Sequence, residues 1–290
     1  MILGGNIRVD EYLERLYSIL KWPEDLQTDE GKRRFENSVN SFKKVIKHEW
    51  LRELLTKTSV VSVLDVCGGT GVGGIALAKV LSEMDMEVNL TINDLRKSAL
   101  NKAKIFSKQV LGKEAVILMK DATRLHELNV KYDIALLYGF STPHFNPFQM
   151  IKMISSIGKI LKTHGVFLIE ETDRIYNIFY LVGYKDILLE YASNEEIVIS
   201  MHLGHNVNKG TFERLTINLV NMEREKNEVY FWDIAGIAAL LWIFFNDVDF
   251  IPINGKSRGI IVSKEPRGLN PTHYQQEPRI CIKEKYDDRF

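Results

Sequence analysis

Three aspartates sit at the ends of short apolar runs: Asp65 near the end of 60–66, Asp94 just after 88–93, and Asp121 shortly after 115–119. A carboxylate at such a place can accept hydrogen bonds or attract a cation. The first of the three precedes a glycine-rich turn, Cys67-Gly68-Gly69-Thr70-Gly71-Val72-Gly73-Gly74, which contains a Gly-x-Gly-x-x-Gly spacing from Gly69 to Gly74. Glycines let a backbone approach a ligand closely, and the helix that follows offers free amides. Taken alone, that spacing suits a dinucleotide pyrophosphate, so an NAD-dependent oxidoreductase is the first alternative. Asp65 argues the other way, because a carboxylate directly ahead of the glycines repels a pyrophosphate and attracts an ammonium group. Asp94, 23 positions beyond Gly71, suits ribose hydroxyls in either case. Asp121 is placed to accept a hydrogen bond from an adenine amino group. Ligands of open α/β sheets sit outside the carboxyl ends of the strands, so the three acids face one crevice and touch three parts of one ligand.

The elements that must hold these residues can be read from periodicity. From Val60 onward, short apolar runs alternate with helical stretches: 60–66 then 75–83, 88–93 then 97–110, 115–119, 134–138, a helix near 148–161, and 166–170. Strand and helix in alternation predict a Rossmann-like α/β fold, with a seven-stranded, mostly parallel sheet and helices on both faces. The first 57 residues read as an N-terminal helical cap. Tyr12, Leu13, Leu16, Tyr17 and Leu20 recur at helical spacing until Trp22-Pro23 ends the segment, and one stripe from Phe35 to Leu55 predicts a second helix over about 32–55. After Glu171 the rhythm breaks. A helix near 174–191 and a hairpin of 196–202 with 212–222 form an expected insertion over 172–230. Asp233 then reads as the N-cap of a helix reaching Phe245, followed by strands near 248–253 and 258–263. The expected division is a cap over 1–57, an α/β domain over 58–264 carrying the insertion, and a polar tail over 265–290.

At this depth the chain resembles the class I S-adenosylmethionine-dependent methyltransferases over roughly 60–171, and again over 233–263. Leu64-Asp-Val-Cys-Gly-Gly-Thr-Gly71 is similar to that family's acidic-x-Gly-x-Gly-x-Gly loop, and Ile92-Asn-Asp-Leu95 to its ribose-binding strand end. Asp121-Ala122 is similar to its adenine-edge pair. Tyr132 to Tyr138 resembles its fourth strand, and Leu161 to Ile169 its turn into the fifth. The resemblance implies S-adenosylmethionine as cofactor, S-adenosylhomocysteine as product, and methyl transfer by in-line displacement. It places Asp65, Cys67, Gly68, Gly69, Gly71, Asp94, Leu95, Asp121, Ala122 and Tyr138 around the cofactor, with Leu95 packed on the adenine ring. Cys67 departs from the pattern by standing where the family has its first loop glycine. That position should therefore not need a glycine-only backbone conformation. A methyltransferase-like protein that binds the cofactor without catalysis is the second alternative.

The acceptor is less legible. Tyr138-Gly-Phe-Ser-Thr-Pro-His144 replaces the Asp-Pro-Pro-Tyr type of motif found in many enzymes that methylate base nitrogens. Phe140, Ser141, Thr142 and Glu171 are the expected substrate-binding residues, and His144 the expected general base. Lys plus Arg equals Asp plus Glu at 38 each, so no net field draws the chain to a polyanion. A small-molecule substrate is expected, nucleic acid is disfavoured, and no metal is expected because no cluster has ligand spacing. The two cysteines, Cys67 and Cys281, read as free thiols of a reducing compartment. The start lacks the features of a secretory signal, and the longest apolar run, 234–245, is too short for a membrane span. A cytoplasmic protein is the expectation; oligomeric state is not encoded in any pattern found.

Overall fold

The computed structural model describes residues 9–253 and 255–282. Three helices come first: α1 (Val9–Ile19), α2 (Asp29–Val45) and α3 (Glu49–Thr56). Thr28 starts α2 by accepting a hydrogen bond from the Gly31 amide, and Asp29 and Glu30 in the first turn with Lys43 and Lys44 in the last suit the helix dipole. The single helix expected over 32–55 is interrupted at 46–48. Its apolar stripe continues across the break because both helices cover one core, in which Phe42, Val45 and Leu51 are fully buried.

The central layer runs β1 (Val60–Val66), α4 (Val72–Ser82), β2 (Glu87–Asn93), α5 (Lys97–Leu111), β3 (Val116–Leu118), β4 (Tyr132–Leu137), α6 (Pro147–Ile160) and β5 (Leu161–Thr172). Successive residues of a strand point to opposite faces, and each face here has its own core. Val61, Val63, Ile134 and Leu136 pack beneath α2 to α5. Leu64, Val66, Ala135 and Leu137 pack with Met150, Ile154 and Leu241 on the other side. That double burial explains why these strands read as nearly continuous apolar runs.

After β5 the structure departs from the expected helix, while the expected hairpin of 196–202 with 212–222 forms as part of a larger sheet. A π-helical segment, Ile175–Val182, stops at Gly183 (φ +71°), and the chain then forms a four-stranded antiparallel meander of β6 (Ile187–Ala192), β7 (Ile197–Asn206), β8 (Thr211–Asn218) and β9 (Arg224–Val229). The helix predicted over 174–191 is thus helical only over Ile175–Val182, and its end from Ile187 onward is strand. The run Ile187-Leu188-Leu189 fits either period, and pairing with β7 decides it. Helix α1 packs against β8 and β9.

The α/β rhythm resumes with α7 (Ile234–Phe244), β10 (Phe245–Pro252) and β11 (Arg258–Pro266). Asp233 caps α7 as its sequence position implies, accepting from the Gly236 amide at 2.5 Å. The seven-stranded sheet has the order β10-β11-β5-β4-β1-β2-β3, parallel throughout except for β11, which runs antiparallel between β5 and β10. The described part of the tail folds back on the domain. Tyr274 meets Phe244 edge-on at 5.3 Å, and the Gln275 side chain donates to the Thr123 carbonyl at 3.1 Å. No helix among the described residues is long and apolar enough to cross a membrane.

Candidate active site

The sheet order places the carboxyl ends of β3, β2, β1 and β4 side by side, with the glycine turn between β1 and α4. Asp65 is fully buried beneath that turn. Its Oδ2 accepts from the Gly74 amide at 2.8 Å, and a Cβ on Gly68 would lie 2.5 Å from the same oxygen. Oδ1 has no hydrogen-bond partner among the described residues. Burial lifts the Asp65 carboxyl to about 7. It borders neither of the two cavities described below, which corrects the expectation that it faces the ligand's ammonium: it supports the turn from underneath.

Cys67 also departs from expectation. Its φ is +51°, in the left-handed region that favours glycine, where an L-residue costs ~1–2 kcal/mol. The thiol borders both cavities. Burial, then Asp94 and Asp121, push it well above the usual thiol range, so it stays neutral. Gly69 (φ +58°) lets the Arg96–Glu24 pair close onto the turn: a Cβ there would come 2.6 Å from Arg96 Nη2 and 2.8 Å from Glu24 Oε2.

Asp94 braces this turn. Its Oδ2 accepts from the Gly69 amide at 2.7 Å and its Oδ1 from the Arg96 amide at 2.8 Å. Burial raises its carboxyl, and Arg96 opposes the rise. Asp121 caps a short 3-10 turn, Ala122–Glu127, by accepting from the Thr123 amide and hydroxyl at 2.8 Å. Both aspartates, with Leu95 and Ala122, still border the larger cavity, so their backbone roles coexist with access to a ligand.

That cavity measures about 680 Å³. Its floor is the strand ends; its roof is Tyr12 and Tyr17 of α1 with Thr211 and Asn227 of the meander. A narrow arm continues over β1 and β4, bordered by Gly68, Gly69, Arg34, Tyr138 and Gly139. Tyr17, Cys67, Arg96 and Ser141 border both spaces.

His144 borders the larger cavity, and its Nε2 lies 2.9 Å from the Tyr17 hydroxyl. Burial, then the positive charges of Arg96 and Arg174, lower the imidazole to about 4, so it is neutral at pH 7. Of the expected acceptor-side residues, Ser141 borders the cavities while Phe140, Thr142 and Glu171 do not. Phe140 has φ +61°, and its ring has Arg174 at 5.6 Å and Arg258 at 4.5 Å. Thr142 donates to Glu171, whose other oxygen pairs with Arg174 at 2.9 Å. These buried partners satisfy one another and fix the segment after β4, which is why they are turned away from the cavity.

Sequence reasoning did not single out Tyr17, Glu24, Arg34 or Arg96 as site residues. Arg96 forks onto Glu24 at 2.7 and 3.0 Å and lies 4.0 Å over the Tyr17 ring. Arg96 had a signal, standing two places after Asp94. The other three come from the helical cap and meet the turn only in three dimensions.

A glycine turn, acceptors at Asp94 and Asp121, and an apolar Leu95 between them fit an adenosyl ligand with an extended polar end. Among the described residues no group of three His, Cys, Asp or Glu side chains is placed to hold a metal ion.

The sequence profile of the ubiE/COQ5 methyltransferase family matches residues 33–192. No curated protein matches the sequence. Among solved structures, the PH0226 protein from Pyrococcus horikoshii OT3 superposes with a TM-score of 0.58 at 17% identity, covering 87% of this chain and 98% of its own. An S-adenosylmethionine-dependent methyltransferase from Clostridium acetobutylicum ATCC 824 superposes with a TM-score of 0.54 at 17% identity, covering 76% and 90%. The sugar N-methyltransferase KedS8 from Streptoalloteichus sp ATCC 53650 does so with a TM-score of 0.56 at 12% identity, covering 91% and 98%. At these identities the likeness is one of fold.

Proposed function

We propose, from the premise that this chain belongs to the ubiE/COQ5 methyltransferase family and transfers methyl groups from S-adenosylmethionine, that the acceptor is a small molecule enclosed between the strand ends and the roof formed by α1 and the meander. The observation that carries this reading is the roofed cavity of about 680 Å³, within the ~300–1,000 Å³ of small-molecule sites. That a sugar N-methyltransferase shares the fold accords with it.

The donor side is assigned residue by residue. Asp121 accepts from the adenine amino group, Leu95 and Ala122 pack on the ring, Asp94 accepts from the ribose hydroxyls, and Cys67 to Gly71 with Tyr138 flank the methionyl end. The cofactor supplies an electrophilic methyl group on a positive sulfur. The protein's part is to hold the acceptor in line at about 3 Å, and fixed geometry of this kind supplies ~7–11 kcal/mol of a barrier. His144 receives the acceptor's proton at Nε2, with the Tyr17 hydroxyl as bridge, a contribution of roughly 10²–10⁴ in rate. Ser141 borders the acceptor. Of the expected cap (1–57) and tail (265–290), the described residues 9–57 act with the insertion (172–230) as covers of the domain over 58–264, and 265–282 lie alongside it. Free thiols at Cys67 and Cys281 support a cytoplasmic setting, and the balanced charge supports a partner other than nucleic acid.

The test is to incubate the protein with S-adenosylmethionine and panels of small hydroxy, amino and thiol compounds, following release of S-adenosylhomocysteine. Turnover with members of one small-molecule class is expected. Turnover only with protein or nucleic acid would overturn the acceptor assignment.

A further inference from the structure

Asn93, the last residue of β2, is fully buried and borders the larger cavity. Its Nδ2 donates twice, to the Leu118 carbonyl at 3.0 Å and to the Lys120 carbonyl at 2.7 Å. Turning the amide over would set its oxygen against both carbonyls, so its partners fix its orientation. Oδ1 is left buried with no hydrogen-bond partner among the described residues. A dry, unpaired oxygen costs stability, and an apolar residue at this place would avoid that cost. The amide is kept for what its nitrogen does.

The strand pairing does not need it. β2 and β3 already pair from Thr91–Val116 to Asn93–Leu118, and the Asp94 amide donates to the same Leu118 carbonyl at 3.2 Å. Lys120 lies beyond the end of β3, and Asn93 is the side chain that ties its carbonyl. That carbonyl belongs to the planar peptide whose other end is the Asp121 amide, so the bond sets the plane from which Asp121 and Ala122 depart. Asp121 Oδ1 is taken by the Thr123 amide and hydroxyl, while Oδ2 has no partner among the described residues. The Ala122 amide, at the start of the 3-10 turn, likewise has no acceptor among them. Both residues border the cavity. An acceptor beside a donor meets the amino group and N1 of adenine, and it opposes the reversed pattern of a 6-oxo purine.

We propose that Asn93 is a positioning residue for base recognition: by holding the peptide ahead of Asp121, it sets the edge formed by Asp121 and Ala122 to accept a 6-amino purine and to reject a 6-oxo one.

The test is calorimetric and needs no acceptor. S-adenosylhomocysteine and its 6-oxo analogue, S-inosylhomocysteine, are titrated into the full chain, and the ratio of their affinities is the readout. The unaltered protein should favour S-adenosylhomocysteine about 10- to 100-fold, the range for one or two mismatched hydrogen bonds. Asn93→Val removes both donors without touching the backbone ladder, and it should lower that ratio at least about fivefold. Asp121→Ala should lower it as well. The double variant should lower it by clearly less than the product of the two single effects, because both residues act through one edge. Equal weakening of both probes in Asn93→Val, with the ratio unchanged, is a merely structural effect and overturns the proposal. A ratio near one in the unaltered protein overturns it too, as do fully multiplicative effects in the double variant. Asn93→Thr keeps one donor on a β-branched side chain, and its ratio should fall between those of the unaltered protein and Asn93→Val. If circular dichroism shows Asn93→Val unfolded, Asn93→Thr carries the test, and an unchanged ratio there overturns the proposal. The inference rests on the donor site described above; if S-adenosylhomocysteine does not bind the unaltered chain, it is that site, not the role of Asn93, that has failed.

Discussion

Asp65→Asn separates two roles for the acid ahead of the glycine turn. Buried beneath the turn, with Oδ1 unpartnered, the Asp65 carboxyl titrates at about 7, against ~3.9 for an aspartate in an unfolded chain. Its folded value is raised, so the folded state holds the proton more tightly. The associated stability is complete below the unfolded value and is lost as pH rises through 7. Linkage over that interval gives a loss of about 2.5 kcal/mol between pH 5 and pH 8 from this one group. Asparagine cannot ionise, and its side-chain oxygen can still accept from Gly74. Urea unfolding of both proteins at pH 5 and pH 8 measures the effect. Asp65→Asn should gain about 2.5 kcal/mol on the native chain over that interval, whatever its offset at pH 5. A difference that does not change with pH would mean that the carboxylate is charged throughout. It would refute the placement of Asp65 as a desolvated support and restore the ammonium-facing role.

His144→Ala should leave S-adenosylhomocysteine affinity within about twofold by calorimetry while lowering turnover by roughly 10²–10⁴. Because the His144 imidazole titrates at about 4, kcat/KM should show no inflection from this group between pH 5.5 and pH 8. An inflection near 6.5 that disappears in His144→Ala would contradict its buried, neutral state. At Cys67, φ +51° makes glycine the relaxed residue. Cys67→Gly should shift stability by no more than about 1 kcal/mol in urea, strain relief being offset by chain entropy. Cys67→Val, β-branched in the left-handed region, should lose about 2 kcal/mol or more.

Much of the donor half was legible because it is local. Asp94 stands directly after β2, Asp121 three residues beyond β3, and the glycine turn lies between β1 and α4, so strand periodicity and turn residues place them without tertiary information. Asp65 was read as facing the crevice, and the structure buries it beneath the turn, bordering neither cavity. A residue near the end of a strand can point into the crevice or under the loop, and only the packed turn decides. At Cys67 the sequence argued that a non-glycine residue implies an ordinary backbone, whereas the turn imposes the left-handed region on whatever stands there. The acceptor side was less legible because it is assembled from distant segments. Tyr17 reaches His144 across 127 positions, and Glu24 reaches Arg96 across 72. The insertion misled for a related reason: Ile187 to Ala192 has no strong period of its own and becomes a strand by pairing with β7. Phe140, Thr142 and Glu171 were placed by proximity in sequence to His144 and β5, and their mutual partners turn them inward.

Calorimetry of S-adenosylhomocysteine with the unaltered chain and with Asp94→Ala, NAD serving as the competing ligand, decides whether the glycine turn and the acids beside it form the donor site. One molecule of S-adenosylhomocysteine per chain should bind, NAD should give no heat, and Asp94→Ala should weaken binding at least about 100-fold, since it removes a ribose acceptor and also the brace on the Gly69 amide. Binding of NAD without S-adenosylhomocysteine, or equal affinity in Asp94→Ala confirmed as folded by circular dichroism, would contradict the assignment.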